Sequence, residues 1–118
     1  MTIFLDHCLP KRLRRLLPGH IVTIAREMRR EQIANGALLA LVQEQFDVFL
    51  TMDKGIKHQQ NMSGRPIAVI TLRAKKNSIE MLTPLMPQVL ALLPMVQPGQ
   101  GCVVEELLEE AAEPNFEA

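Results

Sequence analysis

Two aspartates close short apolar runs at separate places in the chain: Asp6 follows Thr2-Ile3-Phe4-Leu5, and Asp53 follows Val48-Phe49-Leu50-Thr51-Met52. Delivered to the same end of neighbouring parallel strands about 4.8 Å apart, the two carboxylates converge on one hard divalent cation. Mg2+ or Mn2+ held by two carboxylates and waters binds phosphate oxygens and activates water for in-line attack. Each Asp taken singly also serves as an ordinary cap for the turn after its strand. The recurrence of the arrangement at two strand ends brings the metal reading level with the cap.

Other side chains group around these two positions in sequence. Lys11, Arg12, Arg14 and Arg15 follow Asp6 closely and could meet a phosphate backbone beside the metal, or form a solvated helix face. His7 abuts Asp6 and His58 follows Asp53 by five residues, so each is placed to orient a phosphate or carry a proton; loop polarity accounts for them equally well. Thr51 shares a strand side with Asp53, where its hydroxyl can hold that carboxylate. Arg65 lies in the polar segment after Asp53 and is a further candidate phosphate contact. Asp47 begins its strand and lies a strand length from the site, roughly 20 Å for six residues. Glu27 falls in a segment whose conformation the pattern leaves open. His20 reads as structural, and Cys8 as a small buried residue without a relay to make it a nucleophile. With no Trp or Tyr and only four Phe, stacking platforms for single-stranded bases are disfavoured.

A chain of 118 residues with 47% hydrophobic content is long enough for one buried core and too short for two. Its zero net charge is the sum of a basic front and an acidic end. Residues 1–30 carry Lys11, Arg12, Arg14, Arg15, Arg26, Arg29 and Arg30 against Asp6 and Glu27, whereas residues 105–118 carry Glu105, Glu106, Glu109, Glu110, Glu113 and Glu117 without a base. Cys8 and Cys102 have no metal or disulfide spacing, which suits reduced thiols in a cytoplasm. No stretch approaches the roughly 20 apolar residues of a membrane span, so no membrane partner is expected.

The elements that must position the aspartates follow from pattern. Strands are expected over 2–6, 20–24, 48–53 and 67–72, with a short edge strand over 101–104. Pro10 opens a helix carrying Leu13, Leu16 and Leu17, which Pro18-Gly19 ends; so short a connection implies a right-handed parallel crossover. Residues 25–34 leave loop and helical turns equally open. Asn35 reads as the N-cap of a helix over 36–45, and residues 78–93 as a helix kinked at Pro84 and Pro87 or one that starts only at about residue 84. Beyond Glu105 the reading is an acidic tail with one amphipathic face, giving an α/β domain over 1–104 and a tail over 105–118. The alternation specifies an α/β fold: three layers, with a mainly parallel central sheet of four to five strands flanked by helices.

The runs Phe4-Leu5-Asp6-His7-Cys8-Leu9-Pro10, Leu17-Pro18-Gly19-His20 and Phe49-Leu50-Thr51-Met52-Asp53-Lys54, in this order and spacing, resemble the small PIN-like domains found in bacterial toxin–antitoxin settings. The resemblance spans about residues 2–75. It implies a PIN-like α/β domain and, in active relatives, Mg2+- or Mn2+-dependent cleavage of RNA by clustered acids, with Asp6 and Asp53 matching the first and a late acidic position. Where such relatives place an acid at the start of the middle helix this chain has Asn35, so the implied catalytic set is Asp6, Asp53 and Asn35, a reduced acidic site that would hold Mg2+ weakly before substrate phosphates join it. Lys11, Arg12, Arg15 and Arg65 would hold RNA, with His7, Thr51 and His58 as auxiliaries. The competing expectation is a catalytically inactive interaction module whose partner is a cognate antitoxin-like protein, a homodimer being compatible with either; a phosphoacceptor domain with an Asp at a strand end lacks its partner acids here.

Overall fold

The computed structural model describes residues 1–24, 40–52 and 66–105. Five strands, β1 (Thr2–Leu5), β2 (Ile21–Ile24), β3 (Val48–Thr51), β4 (Ala68–Arg73) and β5 (Gly101–Glu105), form one sheet in the order β2-β1-β3-β4-β5. Every pairing is parallel, so the chain is an α/β fold as its alternation specifies. β3, the central strand, is buried at all four residues, in keeping with the continuous apolar run expected of a strand covered on both faces.

Register assigns the two faces. Ile3 and Leu5 stand level with Val48 and Leu50, which stand level with Ala68 and Ile70. These residues belong to one core cluster with Leu9, Leu13 and Leu17 from the segment after β1, and with Leu82, Leu85, Met86, Val89 and Leu93 from the segment after β4. The opposite face carries Phe4 and Phe49, both fully buried, stacked at 5.8 Å and 12°. Phe46, which follows helical residues 40–42, tilts against Phe4 at 5.2 Å.

The segment after β1 is a 3-10 helix, Lys11–Leu16, and not an α-helix. Seven residues between Pro10 and Pro18 leave little room for α-helical hydrogen bonds, and Pro18 biases Leu17 away from helical backbone. Lys11, Arg12, Arg14 and Arg15 add like-charge repulsion at three- and four-residue spacings. The helix expected over 78–93 is broken by its prolines into α1 (Ile79–Leu82), a 3-10 turn (Thr83–Leu85) and α2 (Met86–Leu92), Pro84 and Pro87 each lying in the first turn of a new piece. Ser78 caps α1 by accepting from Met81 N–H. The crossovers β1→β2 and β4→β5 run in opposite directions over the same face, so they are of opposite hand and only one follows the right-handed rule.

Two Pro-Gly turns set the edge strands. Leu17-Pro18-Gly19-His20 and Gln97-Pro98-Gly99-Gln100 each close on a backbone hydrogen bond from the fourth residue to the first, with Gly19 at φ 84° and Gly99 at φ 85°. Glycine is required there because side chains disfavour positive φ. Asp47 sits at the opposite end of β3 from the candidate site, as expected, where it accepts from Thr2 N–H at 2.9 Å and Thr2 Oγ1 at 3.0 Å. The backbone bond from Thr2 is the main reason its carboxyl lies below the usual carboxylate range. β5 runs to Glu105, whose carbonyl accepts from Gln88 Nε2 and whose carboxylate lies 3.6 Å from Arg73, so this first residue of the acidic run belongs to the sheet.

Thr71 on β4 is 2% exposed and its hydroxyl has no hydrogen-bond partner among the described residues. A buried, unpaired hydroxyl is a standing cost. Thr71→Val, which keeps the branched shape, is therefore expected to raise the free energy of unfolding by about 1 kcal/mol in urea melts.

Candidate functional site

With strand order β2-β1-β3-β4-β5, successive connections leave β1 in one direction and reach β3 in the other, so the carboxyl ends of β1 and β3 flank the topological switch point. Open α/β sheets bind ligands there. Asp6 is the first residue past β1. Its backbone N–H donates to Leu50 O at 2.9 Å, extending the ladder by one step, and this places it level with Thr51.

Asp6 is 1% exposed and its carboxylate is a hub. Oδ1 accepts from His7 N–H at 2.7 Å and lies 2.9 Å from His7 Nδ1. Oδ2 accepts from Thr51 Oγ1 at 2.6 Å and from Cys8 Sγ at 3.5 Å. Thr51 is fully buried, whereas the His7 side chain is 40% exposed, so the hub opens to solvent through the imidazole. Burial, and next the Asp6 charge, push the Cys8 thiol up to about 11, against a weaker pull from the Met52 backbone. Cys8 is thus a proton donor at neutral pH. At pH 8 its alkylation by iodoacetamide should run about 100-fold slower in the folded protein than in the unfolded chain, in line with two pH units of lost thiolate. The sign for stability follows: the folded form holds the proton more tightly, so its contribution is complete below about pH 9 and is lost as the pH rises through about 11.

The structure therefore joins Asp6, His7 and Thr51 from the sequence candidates. The Thr51 hydroxyl, read from the sequence as a support for Asp53, donates to Asp6 across the β1–β3 pair. The register makes Asp6 the level neighbour of Thr51 on the next strand, a partner that alternation within one strand does not point to. Lys11, Arg12 and Arg15 are exposed on the 3-10 helix, where three residues per turn put Arg12 and Arg15 in one column. Asp53, Asn35, Arg65, His58 and Glu27 lie outside the described residues. Sequence reasoning missed Cys8 as a donor to the hub, and Asn77, whose Nδ2 donates to Cys8 O at 2.8 Å and ties the loop after β4 to the loop after β1. A lone Asn in a polar loop carries no local signal of that bond.

Among the described residues no group of three or more His, Cys, Asp and Glu side chains is arranged to hold a metal ion, and no helix is long and apolar enough to cross a membrane. An open groove lined by Gln43, Glu44, Phe46, Asp47 and Pro66 lies at the amino-terminal side of β3 and β4, a strand length from Asp6. Comparison with protein-family models, with curated proteins and with solved structures finds no match to the chain.

Proposed function

We propose that this chain is a PIN-like, metal-dependent ribonuclease domain of the toxin type with a reduced acidic site, working in the cytoplasm. The observation that carries the reading is the buried Asp6 carboxylate at the β1–β3 switch point, on the strand next to the one that leads into Asp53. Asp6 and Asp53 would hold Mg2+ or Mn2+, with Asn35 completing the set, and the cation would supply charge for phosphate oxygens and a more acidic water.

Asp6 meets the needs of such a cation in part. Its oxygens are the hard, charged donors the ion requires, and Thr51 fixes their orientation as outer-sphere partners do. Yet Oδ2 already has two protein donors, and Oδ1 has the His7 N–H with His7 Nδ1 beside it at 2.9 Å, so a cation must displace a neighbour. The 3.5 Å Cys8 contact and the half-exposed His7 ring are the yielding pair. That same saturation favours a second reading, a non-catalytic interaction module bound by an antitoxin-like protein or by a second copy of the chain, in which the hub is structural.

Cleavage separates the readings. Wild type incubated with several RNAs and Mn2+ is expected to produce fragments that Asp53→Asn does not. Equal inertness of both proteins overturns the nuclease.

A further inference from the structure

The residues just past β1 and β4 form a second feature at the same end of the sheet. Residues 7–16 contain Lys11, Arg12, Arg14 and Arg15 and no acid, and residues 73–78 contain Arg73, Lys75 and Lys76 and no acid. Arg73 faces Glu105 and Arg14 is half-buried, which leaves Lys11, Arg12, Arg15, Lys75 and Lys76 exposed. The Asn77–Cys8 hydrogen bond holds the two segments together, and α1 packs beside the 3-10 helix. Chain geometry keeps the Cα of Lys76 within about 4 Å of Asn77 and that of Lys11 within about 11 Å of Cys8. Two loops remote in sequence thus present one basic surface beside Asp6.

We infer that the 73–78 loop is a second phosphate-binding arm, which with Lys11, Arg12 and Arg15 grips the sugar–phosphate backbone of a nucleic acid, and that Asn77 is the residue that positions the arm. The choice of polymer rests on the proposed function; the surface does not depend on cleavage. Backbone contact is favoured over base readout because the chain has no Trp or Tyr and, among the described residues, Phe4 and Phe49 are buried and Phe46 is half-buried against Phe4. Acidic protein surfaces are the rival occupant, and they lack the regular charge spacing that makes binding fall linearly with log salt.

The test is fluorescence anisotropy of labelled single-stranded RNA, and of DNA of the same sequence, titrated with full-length protein in EDTA between 50 and 200 mM salt. Wild type is expected to bind with a salt slope that Lys75→Gln/Lys76→Gln reduces by about 1.4, two phosphate contacts at roughly 0.7 each, with about tenfold weaker affinity at the lowest salt. Lys11→Gln/Arg12→Gln should lose a similar amount. Asn77→Ala, which keeps every charge, should weaken binding with an unchanged slope, a pattern that a diffuse, unorganised patch would not give. Equal affinity for DNA and RNA assigns the contact to phosphate alone, and preference for RNA adds the 2′-hydroxyl. Wild-type affinity and slope in the Lys75/Lys76 double variant, or no binding of either polymer by wild type, overturns the inference. Binding without Mn2+-dependent cleavage sustains the arm while the nuclease reading fails.

Discussion

Asp6→Ala is expected to lower the free energy of unfolding by about 3 kcal/mol, because it removes the acceptor of the fully buried Thr51 hydroxyl at 2.6 Å and that of the His7 N–H at 2.7 Å, each a lost hydrogen bond that costs about 1–3 kcal/mol. Asp6→Asn should cost about half as much. The amide keeps one acceptor oxygen, which serves one donor, while its NH2 is turned toward another. The cross-strand bond gives a second handle: Thr51→Val combined with Asp6→Ala should be less destabilising than the two single changes summed, by about 1 kcal/mol. Urea denaturation of the four proteins checks both statements. If Ala and Asn are equally harmless, the hub contributes nothing to the fold and Asp6 is no longer distinguished by its surroundings.

Phe49→Ala should have the largest effect on stability, about 3–5 kcal/mol, out of the roughly 5–15 kcal/mol that hold a domain together. Phe49 is fully buried on the central strand, stacks on Phe4 and stands level with Phe4 and Val69. Truncation leaves a void between three strands that rigid backbone cannot close. A fall of roughly 15 °C in Tm is expected for a domain of this size. Phe49→Leu, which retains most of the volume, should recover more than half of the loss. A thermal melt that shifts by less than about 3 °C for Phe49→Ala would mean that this face of the sheet is not packed as described.

Much of the frame was legible in the sequence because strands covered on both faces announce themselves as apolar runs. Val48 to Thr51 and Ala68 to Leu72 contain almost nothing else, and Pro-Gly at 18–19 and 98–99 mark where β2 and β5 are about to start. The aspartate after β1 was equally legible, since it interrupts such a run. Local pattern failed where the outcome depends on competition or on register. Leu13, Leu16 and Leu17 satisfy α-helical and 3-10 spacing alike, and the flanking prolines and the crowded bases decided between them. That Thr51 meets Asp6 depends on the alignment of β1 with β3, which no spacing within either strand encodes. Asn77 and its lysines acquire meaning only when β4 ends beside β1's loop, a neighbourhood that three intervening crossovers create.

The central claim is that the Asp6 hub is the protein half of a hard-cation site, with His7 and Cys8 as donors that give way and Thr51 as the one that stays. Crystals soaked in Mn2+ and measured at the manganese edge test it most directly. Anomalous density about 2.1 Å from a carboxylate oxygen of both Asp6 and Asp53, with the Thr51–Asp6 bond retained, is the expected result. An Asp6 carboxylate that keeps all its protein donors, with no manganese within reach, would contradict it.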